Sequence, residues 1–171
     1  MVKVRILFLC TGNICRSPTA EGVFRSLASS HAPALDVEVD SAGTHGLHQG
    51  HAPDARSQQV ARARGVDLSA LRARQLTRAD FDAFDLILAM DQDNLEFAKR
   101  LAPPGRRERV RLLLDFAPKQ PLREVPDPYY GGPEGFELVY DLSLQAARGL
   151  LESLVPSPGL NQEGDTARAL R

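Results

Sequence analysis

Residues 4–21, VRILFLCTGNICRSPTAE, decide how this chain folds, because they combine a buried strand, a turn and the start of a helix. The apolar run before Cys10 is typical of a strand that is buried on both faces of a parallel sheet. Ser17 is a good N-cap residue, and Pro18 suits the first helical position. A thiol, the guanidinium of Arg16 and several turn amides therefore meet at a helix N-terminus, which favours anion binding.

Length, charge and cysteine content narrow the class of protein. The chain has 171 residues, a formal net charge of −1 and two cysteines, which predicts one domain with its own core. The charge argues against general nucleic-acid or membrane-surface binding, and no apolar run approaches the ~20 residues of a membrane span. Two closely spaced cysteines and an N-terminus without a signal-peptide pattern predict a cytoplasmic protein.

Strand and helix patterns alternate four times along the chain. Strands are predicted at 3–9, 35–39, 85–90 and 109–116, and helices at 18–30, 54–64, 91–101 and 133–154. This alternation predicts an α/β fold: a four-stranded parallel sheet, doubly wound and three-layered like flavodoxin-like and Rossmann-like folds, with helices on both faces. The domain should span 1–155, and 156–171 should form a mobile tail because they lack a sustained apolar face.

The turn after Cys10 has the residue types of a phosphate site. Its amides can point inwards and form a nest for oxyanions, Gly12 is expected to take a positive φ, and Asn13 tolerates the left-handed region. The guanidinium of Arg16 can bind two phosphate oxygens at once. The predicted phosphate-binding residues are Thr11, Gly12, Asn13, Ile14, Cys15, Arg16 and Ser17.

Cys10 is the predicted nucleophile of this site. The helix N-terminus and Arg16 favour its thiolate form, and Ser17 can hydrogen-bond to the sulfur. The alternative is a small buried core residue, which free cysteines often are, but the complete Cys-x5-Arg-Ser-Pro pattern after a buried strand favours a nucleophile at an anion site. The turn is not a nucleotide P-loop, because no Gly-Lys-Ser/Thr follows.

The chain resembles the low-molecular-weight protein tyrosine phosphatases in CTGNICRSPTAE (10–21), DSAG (40–43), ARQLTRADFDAFDLILAMD (73–91) and DPYYGG (127–132). The resemblance spans residues 4 to about 154. It implies a phosphomonoester hydrolase without metal or cofactor that works through a phosphocysteine, with Cys10, Arg16 and Asp127 as catalytic residues. The implied substrate is a tyrosine-phosphorylated protein or a small aryl phosphate, with inorganic phosphate as a product.

The resemblance also assigns a role to the loop that carries Asp127. An acid above the phosphate can protonate the leaving oxygen and then act as a base toward water; the alternative is an ordinary turn aspartate before proline. Tyr129 and Tyr130 are similar to the aromatic wall of the family's substrate site, with packing of the loop as the alternative. Leu47 stands where many members carry an aromatic residue.

Other positions that match the family have supporting roles. Ser41 corresponds to a serine that supports Asn13, although a strand-end serine is an alternative. Leu71 lies where a family histidine often braces that asparagine, so the bracing should differ here. We interpret Asp91 chiefly as a helix cap, with orientation of the active-site arginine as the alternative. Cys15 either forms a reversible disulfide with the nucleophile or is a packed thiol.

Two clusters outside these motifs have simple interpretations. We interpret His45, His48 and His51 as a solvated loop at the mouth of the site rather than a metal site, because no cysteine or acidic triad accompanies them. Arginine outnumbers acidic residues between 56 and 78, at positions 56, 62, 64, 72, 74 and 78. Most of these should form a solvated face, with guidance of an anionic substrate as the alternative.

Other activities fit the sequence less well. Arsenate reduction needs further cysteines to relay a disulfide, and none follows Cys15. A phosphate-binding module without turnover is disfavoured because Cys10 and Asp127 are both present. Phosphoarginine phosphatases of the same family tend to have threonine where this chain has Ile14, so this residue and the two tyrosines favour an aryl phosphate. We expect a monomer with neither nucleic-acid nor membrane partners.

Overall fold

The computed structural model describes residues 2–156 of the chain. Its strands and helices are β1 (Val4–Cys10), α1 (Arg16–His31), β2 (Val37–Gly43), α2 (Ala55–Ala63), α3 (Asp80–Ala83), β3 (Leu86–Ala89), α4 (Gln92–Leu101), β4 (Val110–Leu112) and α5 (Pro133–Leu154). Two 3-10 helices, Arg107–Arg109 and Leu113–Phe116, flank β4. The predicted tail, 156–171, lies outside the described residues except for its first residue.

The four strands form one parallel sheet in the order β2-β1-β3-β4. β1 pairs with β2 from Val4 opposite Val37 to Cys10 opposite Gly43, and it pairs with β3 on its other side. The strand order therefore reverses beside β1, and ligands bind at such switch points, beyond the carboxyl ends of the strands. The predicted α/β fold is confirmed, and Cys10 lies at this switch point.

Alternate side chains of β1 enter two separate cores. Phe8 packs on the face covered by α1 and α5, whereas Leu7 and Leu9 pack on the face covered by α3 and α4. All three side chains are at most 1 % exposed. Burying a side chain of this size stabilises the fold by roughly 1.5–3 kcal/mol. Burial on both faces explains why the strand is a continuous apolar run without polar alternation.

The predicted bounds of the two edge strands need correction. The strand predicted at 109–116 is wrong after residue 112, because the chain turns into a 3-10 helix whose leucines are buried on the core shared with α5. A Cβ on Gly149 would lie 1.8 Å from the carbonyl oxygen of Phe116, so only glycine lets α5 pack this closely on that turn. β2 was predicted at 35–39 and extends instead to Gly43, which brings Ser41 into the sheet.

Candidate active site

A cleft of about 370 Å³ opens at the carboxyl edge of the sheet. Three segments of the chain line it, and each follows a strand or precedes a helix. The turn between β1 and α1 forms the floor, the loop after β2 forms one rim, and the loop before α5 forms the other. The lining residues are Cys10, Thr11, Gly12, Ile14, Cys15 and Arg16 from the floor, His45, Leu47 and His48 from one rim, and Asp127, Tyr129 and Tyr130 from the other.

The sulfur of Cys10 receives two polar contacts at the floor of the cleft. Its Sγ lies 3.0 Å from Ser17 Oγ and accepts a hydrogen bond from the Asn13 amide at 3.2 Å. Helix α1 begins at Arg16 with Cys15 at the N-cap position. The prediction that Ser17 caps the helix is therefore wrong, since its hydroxyl contacts the sulfur instead.

The turn at the floor also contains backbone N–H groups without hydrogen-bond acceptors in the protein residues described. Within residues 2–156, the amides of Thr11, Gly12, Ile14 and Cys15 donate to no protein acceptor. Polar groups at a buried turn need partners, and oxygens of a phosphate would supply them. The predicted positive φ of Gly12 is wrong, because Asn13 (φ 56°) is the residue of this turn in the left-handed region.

Asn13 is held in this conformation by both ends of its side-chain amide. Nδ2 donates to Ser17 Oγ at 2.7 Å and to Ser41 Oγ at 2.9 Å, while Oδ1 accepts from the Arg74 amide at 3.0 Å. Since Ser17 Oγ accepts from Asn13, its own hydrogen can point at the Cys10 sulfur at 3.0 Å, with the Ala42 carbonyl as a longer alternative acceptor at 3.5 Å. Leu71, which stands where a family histidine often braces this asparagine, is apolar and packs on the core, so it gives Asn13 no hydrogen bond.

Glu21 extends this network and was not predicted from the sequence. Its carboxylate accepts from Ser41 Oγ at 2.6 Å and from Arg25 Nη2 at 2.5 Å, although the residue is only 3 % exposed. Burial raises the pKa of Glu21 above its usual value, partly offset by these two hydrogen bonds. The available signal was an acid among buried positions of α1 such as Ala20 and Phe24.

Arg16 is buried and fixed by partners on neighbouring elements. Nη1 donates to Asp91 Oδ2 at 2.7 Å and to the Val125 carbonyl at 3.1 Å, and Nη2 donates to Thr11 Oγ1 at 3.2 Å. Burial by itself would lower the pKa of Arg16, but the Cys10 sulfur and Asp91 raise it above its usual value. The guanidinium therefore stays charged at the floor of the cleft.

Asp91 makes the contacts that both interpretations of this residue require. Oδ1 accepts from the Asn94 amide at 2.8 Å and caps α4, while Oδ2 binds Arg16. Asn94, which the sequence did not single out, is buried and donates from Nδ2 to Thr11 Oγ1 at 3.1 Å. The first turn of α4 thus supports the turn at the floor from one side.

Asp127 lies above the floor on the loop before α5. Its Oδ2 is 3.9 Å from Arg16 Nη2, its Oδ1 accepts from the Tyr129 amide at 3.1 Å, and its side chain is 53 % exposed. The rings of Tyr129 and Tyr130 meet edge to face at 4.9 Å, and Tyr130 is almost fully exposed. Across the cleft, Leu47 is 81 % exposed, so both rims have apolar surface open to solvent.

Cys15 is a buried free thiol in the same turn as Cys10. Burial, with a smaller contribution from Asp54, raises the pKa of Cys15 from 9.0 to about 12. The two cysteines of the turn therefore differ in environment: Cys10 has hydrogen-bond donors and a guanidinium close by, whereas Cys15 is held as a neutral thiol.

The histidines of the rim lie apart from any cluster of metal ligands. His45 and His51 are exposed, while His48 is half-buried and its ring centroid lies 6.4 Å from that of Tyr129. A Cβ on Gly12 would lie 3.0 Å from His48 Cδ2, so Gly12 leaves room for this ring. Across residues 2–156 no group of three His, Cys, Asp or Glu side chains could hold a metal ion. No helix in the same range has the length and apolar character to cross a membrane.

Comparison with known proteins decides the family. Residues 5–157 match the family model described as low molecular weight phosphotyrosine protein phosphatase. This chain belongs to that family. It is an enzyme of the low-molecular-weight protein-tyrosine-phosphatase class, as its resemblance in four separate motifs implied.

Individual members of the phosphatase family are similar over most of their length. The low-molecular-weight protein-tyrosine-phosphatase of Streptomyces coelicolor is 42 % identical, over 88 % of this chain and 93 % of that protein. The crystal structure of YfkJ from Bacillus subtilis has a TM-score of 0.84 at 37 % identity and covers 90 % of this chain and 95 % of that one. Wzb of Vibrio vulnificus, solved in complex with benzylphosphonate, has a TM-score of 0.78 at 32 % identity and covers 88 % and 99 %.

Proposed function

We propose that this phosphatase hydrolyses aryl phosphate monoesters, phosphotyrosine in a protein or a small analogue, through a phosphocysteine formed on Cys10. One observation carries the proposal. The Cys10 sulfur lies at the floor of a cleft, between the charged guanidinium of Arg16 and turn amides that find no acceptor among residues 2–156. A dianionic phosphate bound there has its phosphorus next to the nucleophile.

The first step transfers the phosphoryl group to sulfur. The Cys10 thiolate attacks phosphorus in line, a P–S bond forms and the bond from phosphorus to the ester oxygen breaks. Asp127, in its protonated form, gives its proton to the departing phenoxide. Arg16 and the amides of the turn stabilise the charge on the three equatorial oxygens.

The second step returns the enzyme to its starting state. Asp127, now a carboxylate, takes a proton from a water molecule as that water attacks phosphorus, and the P–S bond breaks to release inorganic phosphate. The departing sulfur regains the Asn13 amide and the Ser17 hydroxyl as hydrogen-bond donors. Donors at 3.0–3.2 Å make the thiolate a better leaving group.

The shape of the cleft favours an aromatic substrate. Ile14 lies at its floor and Tyr129 at its rim, so an aryl ring would meet apolar surface on both sides of the phosphate. The benzylphosphonate bound by the related Vibrio vulnificus protein is a phosphonate that carries a phenyl ring. This likeness supports an aryl phosphate rather than phosphoarginine as the substrate.

A kcat/KM comparison tests the proposed substrate class. A phosphotyrosine peptide should be hydrolysed with the highest kcat/KM, ahead of a phosphoserine peptide of the same sequence and of phosphoarginine, and arsenate should not be reduced. A higher kcat/KM for phosphoarginine than for phosphotyrosine would contradict the proposal. The Cys10→Ser variant serves as the matched inactive control.

A further inference from the structure

Arg56 lies outside the cleft, yet its guanidinium contacts the loop that carries Asp127. Its Cζ is 5.5 Å from the ring centroid of Tyr129 and 4.4 Å from that of Phe136 in α5. Five of the six arginines between 56 and 78 are exposed, as expected of a mainly solvated face, and Arg74 is half-buried. Exposure does not exclude pairing, since Arg56, Arg64 and Arg74 all form ion pairs. Cation–π contacts with two rings fix a planar guanidinium better than an ammonium.

The same guanidinium is oriented by the helix cap that precedes it. Arg56 donates from Nε to Asp54 Oδ1 and from Nη2 to Asp54 Oδ2, both at 3.0 Å. Asp54 also caps α2 by accepting from the Arg56 amide at 2.8 Å. Its own amide donates to the carbonyl of Ile14, in the turn at the floor, at 2.8 Å. Residues 54–56 therefore contact the floor with one group and the opposite rim with another.

We propose that Arg56 is a positioning residue that holds the Asp127 loop over the turn at the floor. The proposal rests on the proposed function of Asp127 as a general acid. The contacts run from the guanidinium to the Tyr129 ring, and from the Tyr129 amide to Asp127 Oδ1 at 3.1 Å. Because the Asp127 side chain is half exposed, with Arg16 as its nearest cation at 3.9 Å, the place of its carboxyl depends on the loop that bears it.

Charge steering of the substrate would predict a different result from positioning. Arg56→Lys keeps the positive charge and removes the planar fork and its stacking. If Arg56 attracted an anionic substrate, the lysine variant would keep most of the activity with every leaving group. If it positions Asp127, the variant loses activity in proportion to the need of the leaving group for a proton.

The experiment compares a phosphotyrosine peptide, which has a poor leaving group, with para-nitrophenyl phosphate, which has a good one. For Arg56→Lys we expect kcat/KM to fall about tenfold on the peptide, a fraction of the ~10²–10⁴ that a general acid contributes, with a much smaller loss on the activated ester. The ratio of the two values comes from one preparation, so partial unfolding of the variant does not change it.

Arg64→Lys is the matched control. Arg64 contacts the Tyr140 ring at 4.5 Å and pairs with Glu137 and Asp141, so it has the same kinds of contact, but its partners lie in α5 and not in the Asp127 loop. Its leaving-group ratio should equal that of the wild type.

A second comparison asks whether the effect passes through the acid. In the Asp127→Asn background, Arg56→Lys should leave the ratio unchanged. Equal losses on both substrates for Arg56→Lys, or an undiminished effect in that background, would overturn the proposal for Arg56. A wild-type enzyme inactive on both substrates would instead overturn the proposed function itself, so the two failures are distinguishable.

Discussion

Arg16 and Asp91 form an ion pair at the floor of the active site, with Nη1 2.7 Å from Oδ2 and the arginine side chain only 3 % exposed. The pair turns the other amino group of the guanidinium toward Thr11 and Asp127. Since Asp91 also caps α4, one carboxylate links the position of that helix to the orientation of the Arg16 guanidinium. Removing one member of a buried ion pair leaves an uncompensated charge and is strongly destabilising.

The variant Asp91→Asn separates the two roles of this residue. Asparagine is as good an N-cap as aspartate, but it removes the charge that faces Arg16. We expect kcat/KM for an aryl phosphate to fall by ~10²-fold, as for loss of a preorganised electrostatic contact, and the free energy of unfolding to fall by about 3 kcal/mol. Asp93→Asn, in the exposed first turn of the same helix, is the control. Equal kinetics for the two variants would contradict the orienting role.

Asp127→Ala tests the general acid. The loss of kcat should reach ~10²-fold or more on a phosphotyrosine peptide and be much smaller on para-nitrophenyl phosphate, whose phenoxide leaves without a proton. This change leaves the ion pair between Asp91 and Arg16 in place. Equal losses on the two substrates would show that Asp127 does not protonate the leaving group.

Glu21→Gln should change how stability depends on pH. Burial raises the pKa of Glu21 above its ordinary 4.5, so the folded wild type binds this proton more tightly than the unfolded chain. The stabilisation from the proton is complete at low pH and is lost as pH rises from about 4.5 through the folded-state pKa. The glutamine variant has no such loss. Urea unfolding between pH 4 and pH 7 should therefore show the variant gaining on the wild type as pH rises.

Glu38→Gln is the control for that experiment, since Glu38 is also paired with an arginine, Arg5, but is half exposed. Because an exposed ion pair contributes only about 0.2–1 kcal/mol, the unfolding free energy of this variant should stay within about 1 kcal/mol of the wild-type value. If the unfolding free energy of Glu21→Gln minus that of the wild type does not rise with pH, burial does not raise the pKa of Glu21.

The two cysteines should differ sharply in alkylation. A pKa of about 12 keeps Cys15 a thiol, and thiols react far more slowly than thiolates. The Cys10→Ser variant, which retains only Cys15, should thus resist iodoacetamide at pH 8 until it is unfolded in urea, while Cys15→Ser should be labelled rapidly at Cys10. Inorganic phosphate should slow labelling of Cys10. Rapid native labelling of Cys15 would contradict its burial as a neutral thiol.

The parts of the fold and site that were predictable depend on short local patterns. A run such as residues 4–9 specifies a buried strand, and the spacing from Cys10 to Arg16 specifies a turn at a helix start. The proposed role of Asp127 came from the family resemblance, because no local property of the sequence separates a general acid from an ordinary turn aspartate before proline.

The features that sequence could not supply are those fixed by tertiary contacts. Leu113 and Leu114 continue an apolar run, and periodicity alone cannot tell a buried strand from a buried turn of helix. Glu21 and Arg56 are charged residues on helices, where exposure is the default. Their partners, Ser41 and Tyr129, are 20 and 73 residues away in the sequence, so only the fold reveals these contacts.

The central claim, a covalent phosphocysteine, is tested most directly by trapping it. Asp127→Ala, which lacks the base for the second step, is mixed with para-nitrophenyl phosphate, quenched in acid within the first turnover and analysed by intact-mass and fragment-mass spectrometry. The account predicts one added phosphoryl group, located on Cys10 and absent from a parallel Cys10→Ser sample. A quenched enzyme that turns over but carries no phosphoryl group, or carries it on another residue, would contradict the account.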